Sequence, residues 1–414
     1  MLDSSDQPYE YYPPRRWAIL AWLLGLYNRH YYLPRKMRVV GVEVSGHLES
    51  IRKRNRSDRL LFLPNHPTHY DAYIYFEALR RVGVSTHTMA AYDVFLRSRI
   101  NAWIMQRMGV FSVDREGSDK RAMKQAMSTL AAGRHALTIF PEGNVYLQND
   151  LVTPFHEGAA FIGLRSAAAL AEEGYRVLAV PVSIKATYLT DVRPQLEVML
   201  NDLAAAVQAE MPSEAPVRQK IHHIGRAGLI KNLHQRGHEV PETETLPELI
   251  QHAAGTIVEG LEQKIDLKAR PKDSLFDRIR RVRRVIHELR LDESRTHDHT
   301  VAVHWADEAM LAFRIASYSG KYLKGRPTID RFAETVEKLA EDTYARVIDP
   351  LSARHAYIHF NEPIDLSEYL DSFKKKARGA IEQFTERCEK SVQEGIDQLN
   401  ARNPHPGGRV WAEE

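Results

Sequence analysis

The residue types best suited to acid–base chemistry stand close together in one short segment, Asn65-His66-Pro67-Thr68-His69-Tyr70-Asp71. A carboxylate that accepts a hydrogen bond from one imidazole nitrogen fixes the tautomer of the ring and stabilises its protonated form. His66 can therefore act as a general base that Asp71 orients. The sequence has no Gly-x-Ser-x-Gly motif, so no serine nucleophile is indicated beside this pair. The pair predicts removal of a proton from a hydroxyl group of the substrate.

Two other interpretations of this segment stay open. His66, His69 and Asp71, together with Glu142, carry side chains that bind metal ions, a combination that is also typical of metal-dependent hydrolases. A His and an Asp at a strand-to-helix turn also occur as structural caps without any catalytic role. Metal analysis of the purified protein separates the hydrolase from general base catalysis.

The elements that position these residues predict an α/β fold. Continuous apolar runs are typical of strands that are buried on both faces. They occupy residues 38–44, 60–64, 136–140 and 177–184, with a weaker run at 110–113. Helical periodicity lies between them, at residues 72–82, 94–108, 120–132 and 158–173. Such alternation predicts a mostly parallel sheet flanked by helices, with functional residues at the carboxyl ends of the strands.

The strand at residues 60–64 ends directly before Asn65, which places His66 at such an end. Thr68 is the predicted N-cap of the following helix, with Asp71 in the position of a capping box. This geometry folds the Asp71 carboxylate back towards the imidazole.

The pattern changes in the second half of the chain. Residues 186–354 show helical periodicity, broken by proline clusters, and no convincing series of strands. A strand at 357–360 and an amphipathic C-terminal helix follow. We therefore predict an N-terminal interfacial helical segment, an α/β core, a large helical insertion, and a last part with a completing strand of the core and the C-terminal helix. Their bounds are 1–36, 37–185, 186–354 and 355–414.

The cysteine count gives the redox setting. Cys388 is the only cysteine, so the chain forms no internal disulfide, which favours a reduced, cytosolic setting. Cys388 falls on the apolar stripe of the C-terminal helix, so we expect a core residue rather than a nucleophile.

The N-terminal segment has the composition of a membrane-surface helix. Its apolar run, residues 17–27, is too short for a bilayer span, which needs about 20 residues. Residues 11–42 contain no Asp or Glu but several Arg, Trp and Tyr residues, a combination typical of the headgroup region of a bilayer. We expect peripheral or monotopic binding to the cytoplasmic face of a membrane. The alternative is an ordinary helix that packs on the core with its arginines in solvent.

A second basic stretch, residues 278–284, has the sequence RIRRVRR. Ile279, Val282, Ile286 and Leu289 follow three-four-three spacing, which predicts an amphipathic helix with a solvated basic face. Membrane contact is the second interpretation of this stretch. We expect no nucleic-acid partner, and the net charge of only +3 gives no indication of one.

Four segments together resemble the motifs of the glycerolipid acyltransferases, the family of 1-acylglycerol-3-phosphate acyltransferase. Residues 65–71 resemble the first motif, 109–115 (GVFSVDR) the second, 140–143 (FPEG) the third and 180–182 (VPV) the fourth. Their order and spacing agree with the family from about residue 37 to residue 184. Residues 361–366 (NEPIDL) resemble the segment that soon follows the fourth motif in that family; here the predicted helical insertion separates the two.

The resemblance implies transfer of a fatty acyl group from acyl-CoA or an acyl carrier protein thioester to a hydroxyl of a lysophospholipid or glycerolipid-type acceptor. It implies no cofactor beyond this co-substrate, and no metal. His66 would deprotonate the acceptor hydroxyl, and Asp71 would orient His66. Arg115 would bind a phosphate of the acceptor; the alternative is a surface ion pair with Glu116 or Asp119. An alternative without chemistry is a lipid-binding protein on the same fold.

The resemblance also implies further residues of the substrate site, which are Thr68, Gly109, Phe140, Pro141, Glu142 and Gly143. Glu142 has an alternative role as a cap of the next segment. One departure stands at the third motif, which commonly continues with Thr-Arg after its glycine. Here Asn144 and Val145 follow, so a second phosphate-binding arginine is missing at that position.

Overall fold

The computed structural model describes residues 9–55, 57–117, 119–212, 214–240, 245–270, 273–291, 299–318 and 320–412. Residues 1–8 of the predicted N-terminal segment, and several short stretches of the predicted insertion, lie outside the described residues.

The strands form a single mixed sheet. They are β1 (Val39–Gly46), β2 (Arg59–Pro64), β3 (Thr86–Ala91), β4 (Val110–Val113), β5 (Ala136–Thr138), β6 (Val177–Tyr188), β7 (Arg354–Phe360) and β8 (Ile364–Asp365). Their order is β1-β7-β6-β2-β5-β3-β4, and β8 pairs with β6. Neighbouring strands are parallel except where β6 meets β7 and β8. This confirms the predicted α/β fold with a mostly parallel sheet.

The described residues form helices on both sides of the sheet and in a separate stretch of the chain. They are α1 (Ala18–Tyr27), α2 (Leu48–Arg54), α3 (Asp71–Val82), α4 (Tyr92–Leu96), α5 (Arg99–Met108), α6 (Lys120–Ala132), α7 (Glu157–Ala171), α8 (Arg193–Val207), α9 (Val217–Gln235), α10 (Leu246–Lys264), α11 (Leu275–Leu291), α12 (His299–Ala316), α13 (Ile329–Tyr344), α14 (Leu370–Lys375) and α15 (Ala377–Arg402). A π-helix, Asn28–Lys36, continues α1.

Strand β2 shows why the sheet needs helices on both faces. Leu61 and Leu63 pack among residues of α6, α7 and α15. Leu60 and Phe62, which point to the opposite face, pack with α3 and β7. Every apolar residue of the strand is thus buried, which accounts for its continuous apolar sequence. Cys388 is buried on the first of these faces, as predicted.

The structure differs from the sequence prediction at several elements, including one strand that was not predicted. Strand β3 was not predicted, because its sequence THTMAA begins with three polar residues and contains no long apolar run. The single helix predicted at 94–108 is two helices, α4 and α5, because Ser98 is extended and caps the second one through the amide of Asn101. Strand β6 continues past residue 184 to Tyr188, where it pairs with β7.

Buried charges connect the helices of residues 193–344 to the sheet. Arg354 of β7 forms a buried ion pair with Glu337 of α13 at 2.6 Å. Lys185 of β6 is buried and paired with Asp150, which also contacts Arg331 of α13 at 2.9 Å. The helical stretch is therefore packed directly on the core.

The N-terminal segment also packs on the core. The amide of Tyr12 donates to the Ser112 hydroxyl of β4 at 2.8 Å, and the amide of Arg15 donates to a carbonyl of α5. Helix α1 nevertheless exposes much of its apolar surface, including Trp17, Ile19 and Trp22. No helix within the described residues is both long enough and apolar enough to span a bilayer.

Candidate active site

The His66 turn is fixed to the sheet by Asn65. Its side-chain amide donates to the carbonyl of Ile184 at 3.0 Å, and its side-chain carbonyl accepts from the amide of Ile184 at 2.7 Å. These paired bonds join the end of β2 to β6, the neighbouring strand. His66 follows immediately, so its backbone has a fixed position at the edge of the sheet.

The Asp71 carboxylate meets the imidazole of His66 at the start of α3. Asp71 Oδ2 lies 3.0 Å from His66 Nδ1. The carboxylate also accepts from the Thr68 amide, at 2.7 Å, and from the Thr68 hydroxyl. Asp71 is 1 % exposed, so these contacts hold it in one orientation. The two side chains point towards each other, as the spacing predicted.

Thr68 has a different role from the one predicted. The helix begins at Asp71 with Tyr70 as its N-cap, so Thr68 is not the capping residue. Its buried side chain binds the Asp71 carboxylate and does not line the cleft beside His66. Direct contact with substrate is therefore not supported by its position; it positions the carboxylate.

The His66 ring lines a large cleft of about 2550 Å³. Its side chain is 24 % exposed, and its ring lies 4.7 Å from the ring of Phe140 between centroids. Because Nδ1 faces Asp71, Nε2 is the nitrogen that is free to take a proton. Phe140, Pro141, Gly143 and Arg115 line the same cleft.

Glu142 lies behind His66 rather than in the cleft. Its Oε1 accepts from the backbone amide of His66 at 3.2 Å, and its Oε2 accepts from the Thr153 hydroxyl at 2.5 Å. Burial raises the pKa of the Glu142 carboxyl to about 8. Glu142 therefore supports the His66 backbone and is mainly protonated at neutral pH.

The backbone conformation and the surroundings of Gly143, in the third motif, both require a glycine. Its φ of +71° lies in the left-handed region. A Cβ at this position would lie 2.6 Å from Cδ2 of His156, so the imidazole of His156 occupies the space of the missing side chain. Burial, with Arg280 and Arg115 nearby, lowers the pKa of His156 to about 4, so this ring is neutral.

Arg115 contacts the turn of the third motif. Its Nη1 donates to the carbonyl of Gly143 at 3.2 Å and to Oδ1 of Asn144 at 3.0 Å. Its Nη2 pairs with Asp93 at 3.0 Å. The alternative of an ion pair with Glu116 or Asp119 is wrong. The geometry brings Arg115 to the same edge of the sheet as His66.

Gly109 has a structural position. It ends α5 with a φ of +90°, and a Cβ there would lie 2.9 Å from the carbonyl oxygen of Thr86 on β3. It does not line the cleft, so the predicted contact with substrate is not supported. Gly109 instead lets β4 follow α5 through a tight turn.

The metal-site interpretation has no geometric support in the part of the chain that the structure describes. The second histidine of the segment, His69, binds Glu341 of α13 at 2.9 Å instead of Asp71. Within that part, no cluster of His, Cys, Asp and Glu side chains has an arrangement suited to a metal ion.

Comparison with protein-family models finds one match, to the family described as Acyltransferase, over residues 42–185. Residues 42–185 form an acyltransferase domain. Comparison with curated proteins finds no match. The matched range contains all four motif-like segments, including the paired His66 and Asp71. The chain is therefore an enzyme that transfers acyl groups, with an acyl donor and a lipid acceptor in the general sense of the family. The interpretation as a non-enzymatic lipid-binding protein is wrong.

The acyltransferase domain contributes site residues that the sequence did not reveal. Asp93, the partner of Arg115, follows β3, and this strand lacks an apolar run. His156 stands directly before α7, and no motif surrounds it. Thr153, which binds Glu142, is likewise outside every motif.

Proposed function

We propose that the acyltransferase moves a fatty acyl group from acyl-CoA or an acyl carrier protein to a hydroxyl of a lysophospholipid or glycerolipid-type acceptor. The observation that carries the proposal is the 3.0 Å contact between His66 Nδ1 and Asp71 Oδ2, with the ring on a large cleft. A thioester already has a good leaving group, so the enzyme needs no covalent intermediate. Activation of the acceptor hydroxyl and correct positioning are sufficient.

In the proposed reaction, His66 Nε2 accepts the proton of the acceptor hydroxyl as its oxygen attacks the thioester carbonyl carbon. A new C–O ester bond forms and the C–S bond breaks. The leaving thiolate takes the proton from the imidazolium, which restores neutral His66. Asp71 stabilises the imidazolium between these two steps, because its carboxylate accepts from Nδ1.

Two features of the pocket favour this role for His66. The Thr68 contacts hold Asp71 in place before substrate binds, so little reorganisation is needed during the reaction. Glu142 is protonated at neutral pH, so its carboxyl group adds no negative charge behind the His66 backbone. Asp71 is then the carboxylate group that faces the ring.

We further propose that the enzyme binds peripherally to the cytoplasmic face of a membrane through α1 and α5. Trp17 and Trp22 of the α1 region are 51 % and 58 % exposed, and Ile100 and Trp103 of α5 are exposed beside basic residues. Tryptophan and arginine together favour the headgroup region. Trp22 lines the cleft that also contains His66, which supports direct entry of lipid chains from the bilayer.

The proposal is tested by His66→Ala, with His69→Ala as the matched control. General base catalysis contributes about 10²–10⁴-fold, so the rate of acyl transfer from labelled palmitoyl-CoA to lysophosphatidate should fall by that factor in His66→Ala. His69 binds Glu341, and its removal should leave most of the activity. Circular dichroism should show both variants folded. A folded His66→Ala variant with wild-type turnover would contradict the mechanism.

A further inference from the structure

Helix α11 is not a solvated basic helix. Its apolar residues Ile279, Val282 and Ile286 are buried, as the spacing predicted. Its basic face, however, contacts the acyltransferase domain: Arg283 forms an ion pair with Glu116, directly after the second motif. The Arg283 side chain is 13 % exposed. The prediction of a basic face in solvent is therefore wrong at this part of the helix.

Arg280, one turn before Arg283, contacts His156, whose ring packs against the third motif. Its Nη2 lies 3.1 Å from Nδ1 of His156. Arginine only donates, so Nδ1 accepts and the imidazole is neutral, in agreement with its lowered pKa. The His156 ring in turn fills the space beside Gly143. Arg280 is thus connected through a single side chain to the turn that Arg115 contacts directly.

The charge of Arg280 is poorly compensated compared with its neighbours. Arg115 and Arg283 have carboxylate partners within hydrogen-bonding distance, which are Asp93 and Glu116. Among the described ion pairs of Arg280, the carboxylate is that of Asp277, with atoms 3.8 Å apart, which is too long for a hydrogen bond. The Arg280 side chain is 50 % exposed and lines the cleft. It therefore keeps N–H donors that its protein contacts do not use.

We propose that Arg280 of α11 supplies the second guanidinium of the acceptor site and, with Arg115, binds a phosphate group of the acceptor lipid. The third motif has Val145 where the resemblance leads one to expect this arginine. Arg280 approaches the same turn from a distant part of the chain, with the His156 ring between them. A guanidinium fork matches phosphate oxygens and donates several charge-assisted hydrogen bonds. The helical stretch is in this way part of the active site.

This inference rests on the proposed function where it is tested by acyl transfer. A separate binding experiment does not require that activity. Acyl transfer is measured with two acceptors that share an acyl chain and differ in charge, lysophosphatidate and monoacylglycerol. The variants are Arg280→Ala, Arg280→Lys and the control Arg284→Ala. Arg284 is an exposed residue of the same helix that also borders the cleft, but its side chain donates to the backbone carbonyl of Glu116 at 3.4 Å and does not contact His156.

We expect Arg280→Ala to raise KM for lysophosphatidate by about tenfold or more, the scale of a lost charge-assisted contact. KM for monoacylglycerol and for the acyl donor should change less than about twofold. Arg280→Lys should recover part of the loss because it keeps the charge. Arg284→Ala should behave like wild type. An equal effect on both acceptors, or an equal effect of Arg284→Ala, would overturn the assignment.

Binding separates this inference from the catalytic proposal. Calorimetry of lysophosphatidate with His66→Ala protein, and with His66→Ala/Arg280→Ala protein, needs no turnover. A weaker binding constant in the double variant supports the phosphate site even if no acyl transfer to either acceptor is found. Unchanged binding overturns it, whatever the activity of the wild-type enzyme.

Discussion

The His66 turn and the face of α11 both line the cleft, but they are held there in different ways. Contacts within a few residues orient His66: Asp71 and Thr68 belong to the same short segment. Arg280 instead reaches the site through His156, more than a hundred residues earlier in the chain. The comparison teaches that the proposed catalytic pair comes from one short segment, whereas the proposed phosphate site is assembled from segments that lie far apart in the chain.

The largest expected effect tests the pairing of Asp71 with His66. In Asp71→Asn, the side chain no longer stabilises the imidazolium, and its amide favours the wrong tautomer of His66. The rate of acyl transfer should fall by about 10²–10⁴-fold, with acceptor KM almost unchanged. Steady-state kinetics give both values. A large change in acceptor KM with normal kcat would mean that Asp71 binds substrate instead.

The second prediction concerns the contacts between distant segments of the chain. The buried ion pair of Arg354 and Glu337 joins α13 to β7. Glu337→Ala leaves a buried guanidinium without its carboxylate, so the free energy of unfolding should fall by about 3–5 kcal/mol. Urea denaturation measures it. The control is Glu368→Ala, whose ion pair with Arg387 is half-exposed on both sides and should contribute about 0–1 kcal/mol. Equal losses would show that the buried pair has no special role.

Two substitutions of Glu142 separate the effect of its hydrogen bonds from the effect of its charge. Glu142→Gln can keep both hydrogen bonds, so its activity should stay near wild type, while Glu142→Ala should lose about tenfold. Because burial raises the pKa of the Glu142 carboxyl from its ordinary 4.5 to about 8, the folded protein retains a proton that the unfolded chain releases. Stability should therefore fall as pH rises between these values, and less so in Glu142→Gln. Melting temperatures at pH 6 and pH 9 test this.

The smallest expected effect concerns the apolar surface of α1. Replacing Trp17 and Trp22 together by Ala should weaken binding to anionic vesicles by about fivefold, since other aromatic and basic residues remain. Co-sedimentation measures binding. Val198, an exposed residue of α8, supplies the control Val198→Ala. Equal binding of the double variant and wild type would contradict the proposed membrane surface.

The same comparison explains what the sequence could predict. The strand before His66 is buried on both faces and has a continuous apolar sequence, and the contact between His66 and Asp71 depends on their spacing of five residues. Both were therefore predicted correctly. Strand β3 packs polar and small residues such as Thr86 and Thr88 in the sheet, so neither it nor Asp93 at its end was predicted.

The contacts of α11 were not predicted for a different reason. Its three-four-three spacing identifies the buried apolar face, but spacing within one helix contains no information about what its charged face meets. Arg283 meets Glu116 across 167 residues, and only the folded chain shows this. The sequence therefore predicts the helix and its buried face. The residues that its arginines contact depend on tertiary packing.

The position of β7 has a consequence for how this enzyme is made. Among the described strands, β1 pairs with β7 alone, although residues 193–344 separate β7 from the first half of the chain. During synthesis, β1 therefore leaves the ribosome long before β7 has been made. The edge of β6 that pairs with β7 also stays unpaired until then. Non-local pairing of this kind slows folding and leaves strand edges open to aggregation. A protein of residues 42–185 alone would lack β7, so these strand edges would stay unpaired. Expression of the isolated domain should therefore give insoluble protein.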